Sequence, residues 1–131
     1  MRIRAVAVVI DGDEVLVINR RKRGDEYCVL PGGGVEAGES LHQACLRELC
    51  EETGLEGEVV RRLPSVDELL EAEAVYFEVR VRSRELRLGG PEAQRDQPLN
   101  RYKPAWATVW SLSGLVPEHA RAAVRAAHAG L

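Results

Sequence analysis

The chain has 131 residues, 45% of them apolar and 30% charged, with a formal net charge of −3 and an isoelectric point near 5.7. This is the composition of one compact soluble domain over residues 1–131, and it excludes nucleic-acid binding driven by a broad positive charge. No apolar run reaches the ~18 residues of a membrane span, the N-terminus lacks a signal-peptide pattern, and three cysteines without CxxC spacing point to reduced thiols in the cytoplasm.

Ile3 to Ile10 is β-branched and apolar on both faces, which predicts a central buried strand. Asp11-Gly12-Asp13 is a hairpin-type turn into a second strand, Glu14 to Asn19. Arg20 to Glu26 reads as a charged loop, and Tyr27 to Leu30 as a short strand. That strand leads into Pro31-Gly32-Gly33-Gly34, a sharp turn in which glycine lets the backbone approach a ligand closely. Ser40 and Gln43 form a capping-box pattern, no proline or glycine interrupts residues 41–53, and Gly54 suits a left-handed helix end. A helix is therefore expected there.

Glu58 to Leu63 follows as a strand. From Glu73 to Arg82 the chain alternates, Val75, Phe77, Val79 and Val81 pointing one way, Tyr76, Glu78, Arg80 and Arg82 the other. Glu85 to Leu88 is expected as a short partner strand. Gly89 to Pro104 is longer than most loops of compact domains, hence functional or mobile. Trp106 to Leu112 reads as another strand, and Pro117 to Ala129 as a second helix with Ala120, Ala123, Val124 and Ala127 inward. Strands between two helices suggest an α/β/α sandwich.

The first helix carries the chemistry. Leu41, Ala44, Cys45 and Leu49 form its apolar stripe, and Glu48 and Glu52 project into the middle of it, with Glu51 on the edge and Arg47 just beyond. Like charges three and four residues apart repel on a helix. Inward-facing carboxylates are costly unless paired or metal-bound, and one arginine cannot neutralise three. A solvated acidic face would point away from the stripe. The local charge agrees with a cation site: seven of the 21 acidic residues fall between Glu36 and Glu58, where Arg47 is the only Lys or Arg. Carbonyls of the glycine turn could ligate a hard cation, and its amides could face a phosphate.

Gly33, Glu39, Arg47, Glu48, Leu49, Glu51, Glu52, Gly54 and Leu55 are spaced as in the Nudix box, and every fixed position matches. The segment resembles the signature of the Nudix hydrolase family, and the rest of the chain is compatible with it. The resemblance implies a Nudix-type α/β/α sandwich with a mixed sheet between helices. It implies hydrolysis, with Mg²⁺ or Mn²⁺, of a nucleoside diphosphate linked to another group. A catalytically weak nucleotide-binding or regulatory module on the same fold is the alternative.

Glu51 and Glu52 are the first candidates for metal ligands, with Glu48 a third ligand or a base that orients water, and the Gly32 carbonyl a backbone ligand by its position in similar enzymes. Arg47 is expected to organise the helix through a bidentate carboxylate pair. Glu39 has two roles open to it, assisting through the metal shell or stabilising the helix N-terminus. Gly33 and Gly34 are substrate-side candidates, and Arg20 is a phosphate contact by analogy with the family. Glu92 is the candidate for the further acidic group that many Nudix enzymes place in this downstream stretch, and Ala107, near where relatives often carry a glutamate, offers none. Tyr76, Tyr102 and Trp106 could stack on a nucleobase. His42, His119 and His128 show no ligand spacing and are assigned surface or structural positions. The expected partner is a small nucleotide rather than a membrane or nucleic acid, and dimerisation is common among similar proteins.

Overall fold

The computed structural model describes residues 3–64, 74–87 and 100–130. Eight strands and two helices fall in these ranges: β1 (Arg4–Val8), β2 (Ile10–Asp11), β3 (Glu14–Lys22), β4 (Asp25–Val29), β5 (Gly32–Gly34), α1 (Leu41–Thr53), β6 (Gly57–Arg62), β7 (Ala74–Val81), β8 (Asn100–Thr108) and α2 (His119–Ala129). One sheet is mixed, in the order β5-β1-β7-β6, with β1 and β7 parallel and the other pairs antiparallel. The second is antiparallel and built on β3, which pairs along its whole length with β8 and, over successive stretches, with β2 and β4.

β1 is central because both of its faces are apolar. Ala5 and Ala7 belong to the core beneath α1, with Leu49, Val75, Phe77 and Val79. Val6 and Val8 belong to the core beneath α2, with Val15, Val17, Leu115, Ala123 and Val124. Alternation of side chains along a strand sends each set to its own face, so one short strand separates two cores and the α/β/α arrangement follows. Cys45 is fully buried in the first core, where desolvation pushes its thiol up to about 12 and keeps it protonated. All three cysteines are free thiols. Among the described residues, no helix is long and apolar enough to cross a membrane.

Several boundaries differ from the expectations. The predicted strand from Ile3 to Ile10 breaks at Val9, and its two parts join different sheets. The supposed charged loop from Arg20 to Glu26 is instead a tight hairpin: β3 continues to Lys22, Arg23 and Gly24 turn with φ of 52° and 90°, and β4 begins at Asp25. Partner strands on both edges hold these charged residues extended. The loop expected up to Pro104 ends earlier, because β8 starts at Asn100, and the strand expected through Leu112 stops at Thr108. Pro104 is accommodated where β8 pairs with β3 alone among the described residues, an edge position that tolerates a missing N–H.

Glu85 to Arg87 do not form a strand. The Arg87 amide instead donates to the Thr53 carbonyl at 2.8 Å, satisfying the end of α1. Helix α2 begins at His119, two residues after Pro117, and its Glu118 makes no side-chain cap bond.

Candidate active site

Local sequence chemistry fixes α1. The Ser40 hydroxyl accepts from the Gln43 amide at 3.1 Å while the Gln43 side chain accepts from the Ser40 amide at 2.8 Å. Such a cap contributes about 1 kcal/mol. Gly54 adopts φ 78° and its amide donates to the Cys50 carbonyl at 2.8 Å. Between these ends Ala44, Cys45 and Leu49 are buried against the mixed sheet. The same face carries Glu52, which is only 6% exposed. The Gly32 amide donates to its Oε1 at 3.0 Å.

Gly32, Gly33 and Gly34 form a strand paired with β1, not the sharp turn expected: Arg4 faces Gly34, Ala5 faces Gly33 and Val6 faces Gly32. A Cβ on Gly33 would lie 2.5 Å from the Glu48 carboxyl carbon, and one on Gly32 would lie 2.7 Å from the Ala5 carbonyl oxygen. The close approach anticipated for a ligand is therefore already used to seat Glu48 against the backbone.

Arg47 is the hub of the acidic cluster. Its Nε donates to Glu39 Oε2 at 2.7 Å and its Nη2 to Glu39 Oε1 at 3.0 Å, a bidentate pair. Nη1 donates to Glu48 at 2.9 Å and Glu51 at 3.3 Å, and Nη2 to the Gly34 carbonyl at 3.0 Å. Charge-assisted bonds of this kind are roughly twice as strong as neutral ones. They hold the Arg47 guanidinium well above its ordinary range, the bond to Glu39 first among the causes. The Glu39 carboxyl is correspondingly lowered, first by Arg47 and then by the Glu36 amide. Glu39 is thus bonded to Arg47 and to the Glu36 amide.

These groups line a cleft of about 450 Å³, bounded by Gly32, Gly33, Gly34, Glu36, Arg47, Glu48, Glu51 and Glu52, with Arg4, Ile18, Arg20, Val29 and Tyr102 around them. Arg20 arrives from β3, its guanidinium 3.7 Å from the Tyr102 ring centre and 5.7 Å from that of Tyr27, its two cross-strand partners.

Arg47, Glu48, Glu51 and Glu52 of the box, the glycines Gly32, Gly33 and Gly34, and Arg20 meet in this one cleft, while Glu39, bonded to Arg47, does not line it. Glu92 lies outside the described residues. Of the three aromatic candidates only Tyr102 lines the cleft: Tyr76 packs in the second core, edge-to-face with His119, and Trp106 donates to the Arg84 carbonyl beneath that residue's guanidinium. Ala107 packs against the second core. His42, His119 and His128 each sit edge-to-face on an aromatic ring. Arg4 is not among the sequence candidates, because only strand pairing brings it beside Gly34; an arginine at the start of an apolar run carries no signal of its own.

The donor set on α1 and β5 is all oxygen, carboxylate and carbonyl, which suits a hard divalent cation. Among the described residues no three acidic, histidine or cysteine side chains already converge as a metal-binding group. The hydrogen bonds explain this, since Glu48 and Glu51 lean toward Arg47 and Glu52 toward Gly32.

The NUDIX domain model matches residues 1–127. The chain belongs to the NUDIX family. Members that hydrolyse small nucleotides generally need divalent cations. An ADP-ribose pyrophosphatase of Methanocaldococcus jannaschii is 40% identical over 70 residues, 49% of this chain and 37% of that protein. An RNA pyrophosphohydrolase of Wolbachia pipientis is 52% identical over 46 residues, 34% of this chain and 28% of that protein. This chain thus spans well under half the length of these curated relatives. A crystal structure of an ADP-ribose pyrophosphatase from Streptococcus suis superposes with a TM-score of 0.74 at 16% identity, covering 98% of this chain and 90% of the other, and so shares the NUDIX fold.

Proposed function

We propose that this NUDIX chain is a single-domain, divalent-cation-dependent pyrophosphohydrolase that cleaves the phosphoanhydride of a nucleoside diphosphate linked to another group. The observation that carries this reading is that Glu48, Glu51 and Glu52, from two turns of one helix, line the same cleft as Arg20 and the glycine strand. Glu48, Glu51, Glu52 and the Gly32 carbonyl would hold Mg²⁺ or Mn²⁺. When bound, such a cation shields the charge of the diphosphate and lowers the pKa of water.

The chain's own groups do the rest. Arg47 fixes the directions of the Glu48 and Glu51 carboxylates through bonds of 2.9 and 3.3 Å. The Gly32 amide orients Glu52. Arg20, held by Tyr102 and by Asn100 Oδ1 at 2.6 Å, presents a rigid cation to a phosphate. Gly33 and Gly34 border the diphosphate on the strand side, and Glu92 is kept as the proposed further base. Small soluble nucleotides are the proposed substrates.

A panel of nucleoside triphosphates, nucleotide sugars, ADP-ribose, dinucleoside polyphosphates and capped RNA, incubated with Mg²⁺ and read by product mass, tests this. One class should split at the pyrophosphate only when the cation is present. Binding without turnover across the panel would instead assign a regulatory module.

A further inference from the structure

We propose that Arg4 contacts a phosphate of the substrate at the scissile diphosphate; the proposal rests on the reading of the cleft given above. Three guanidiniums line that cleft, and they differ in what they hold. Arg47 is bonded to Glu39, Glu48 and Glu51. Arg20 rests on neutral groups, namely Asn100 Oδ1, the Arg101 carbonyl at 3.3 Å and the Tyr102 ring. Arg4 is held least: one Nη2 donates to the Gly32 carbonyl at 3.3 Å, and it makes no ion pair among the described residues.

A guanidinium carries five N–H donors in a planar fork that matches phosphate oxygens, and among the described residues Arg4 uses one of them. Its anchor decides which part of the ligand it meets. Gly32 gives its carbonyl to Arg4 and its amide to Glu52, so Arg4 lies one residue away from the buried carboxylate of the cluster. Gly34, its register partner on β5, gives its carbonyl to Arg47. Arg4 therefore faces the phosphoryl groups beside the glutamates, not the far end of a conjugate. It also supplies positive charge from the mixed sheet to a cleft that Arg20 enters from the antiparallel sheet. A diphosphate gripped from both sheets is held against rotation, which is what positioning for in-line attack requires.

The test is calorimetric binding of α,β-methylene ADP, a diphosphate that resists hydrolysis at that linkage, with saturating Mg²⁺, to the whole chain and to its Arg4→Gln and Arg4→Lys variants. Loss of a charge-assisted phosphate contact should weaken the analogue at least about fivefold in Arg4→Gln, with Arg4→Lys falling between. Mn²⁺ affinity in the absence of nucleotide should not fall, because Arg4→Gln takes a competing cation away from the Gly32 carbonyl. Unchanged analogue affinity in Arg4→Gln overturns the proposal. So does a loss of Mn²⁺ affinity equal to the loss of analogue affinity, because Arg4 would then act only by holding Gly32. No turnover enters this measurement, so a chain that hydrolyses nothing in the substrate panel would overturn the pyrophosphohydrolase and leave the role of Arg4 to be decided by binding.

Discussion

The two helices cover opposite faces of the same strand, and they are buried in different ways. Helix α2 turns Ala120, Ala123 and Val124 inward, an apolar stripe that does nothing but exclude water. Helix α1 turns Ala44, Cys45 and Leu49 inward and adds Thr53 and Glu52. Thr53 is satisfied within its own neighbourhood, donating to the Leu49 carbonyl at 2.7 Å and accepting from the Leu55 amide at 3.2 Å. Glu52 reaches for an amide 20 residues earlier in the chain. A buried carboxylate costs several kcal/mol unless it is compensated. The contrast agrees with the proposed site: the helix that only packs has no such group, and the helix proposed to carry the chemistry has one.

Substitutions on the two helices should therefore separate activity from stability. The largest effect is expected at Glu52. Glu52→Gln keeps an oxygen for the Gly32 amide but removes the charge, so turnover should fall at least ~10²-fold with little change in melting temperature. Wild-type turnover in that variant would remove Glu52 from the site. Val124→Ala on α2 should do the opposite, costing about 2 kcal/mol in denaturant unfolding with kcat unaltered. A comparable loss of kcat there would mean that the two faces are not independent.

A smaller effect tests the organising pair. The Glu39 carboxyl is held below its ordinary value of 4.5 by Arg47. Its stabilising contribution is then fully present above the unfolded value and is lost as pH falls through the folded one. The stability difference between wild type and Glu39→Gln should be constant near neutrality and shrink as pH drops below about 4.5. A difference that grows in acid would contradict the sign of that coupling.

What could be read from the chain followed from the range of the interactions involved. Helix α1 was legible to the residue, because its cap, stripe and C-terminal glycine are all local. So was the glutamate set, whose spacing is a property of one helix. The first half of β8 was not: Asn100 to Pro104 are polar or proline, and they are extended because β3, some 80 positions earlier, pairs with them. The basic run after Asn19 reads locally as a loop for the same reason, since its strand depends on pairing with β4 and β8. Arg4 entered the site only through its register with Gly34. Patterns local to an element survive in sequence, whereas sites assembled by strand pairing do not.

The most direct test of the site is the affinity for Mn²⁺ of wild type and Glu52→Gln, measured by calorimetry without nucleotide. Wild type should bind saturably and rise in melting temperature with the ion, and the variant should bind at least about tenfold more weakly. Equal affinity in the two proteins, or no binding to either, would contradict the claim that the inward-facing glutamates of α1 exist to hold a divalent cation.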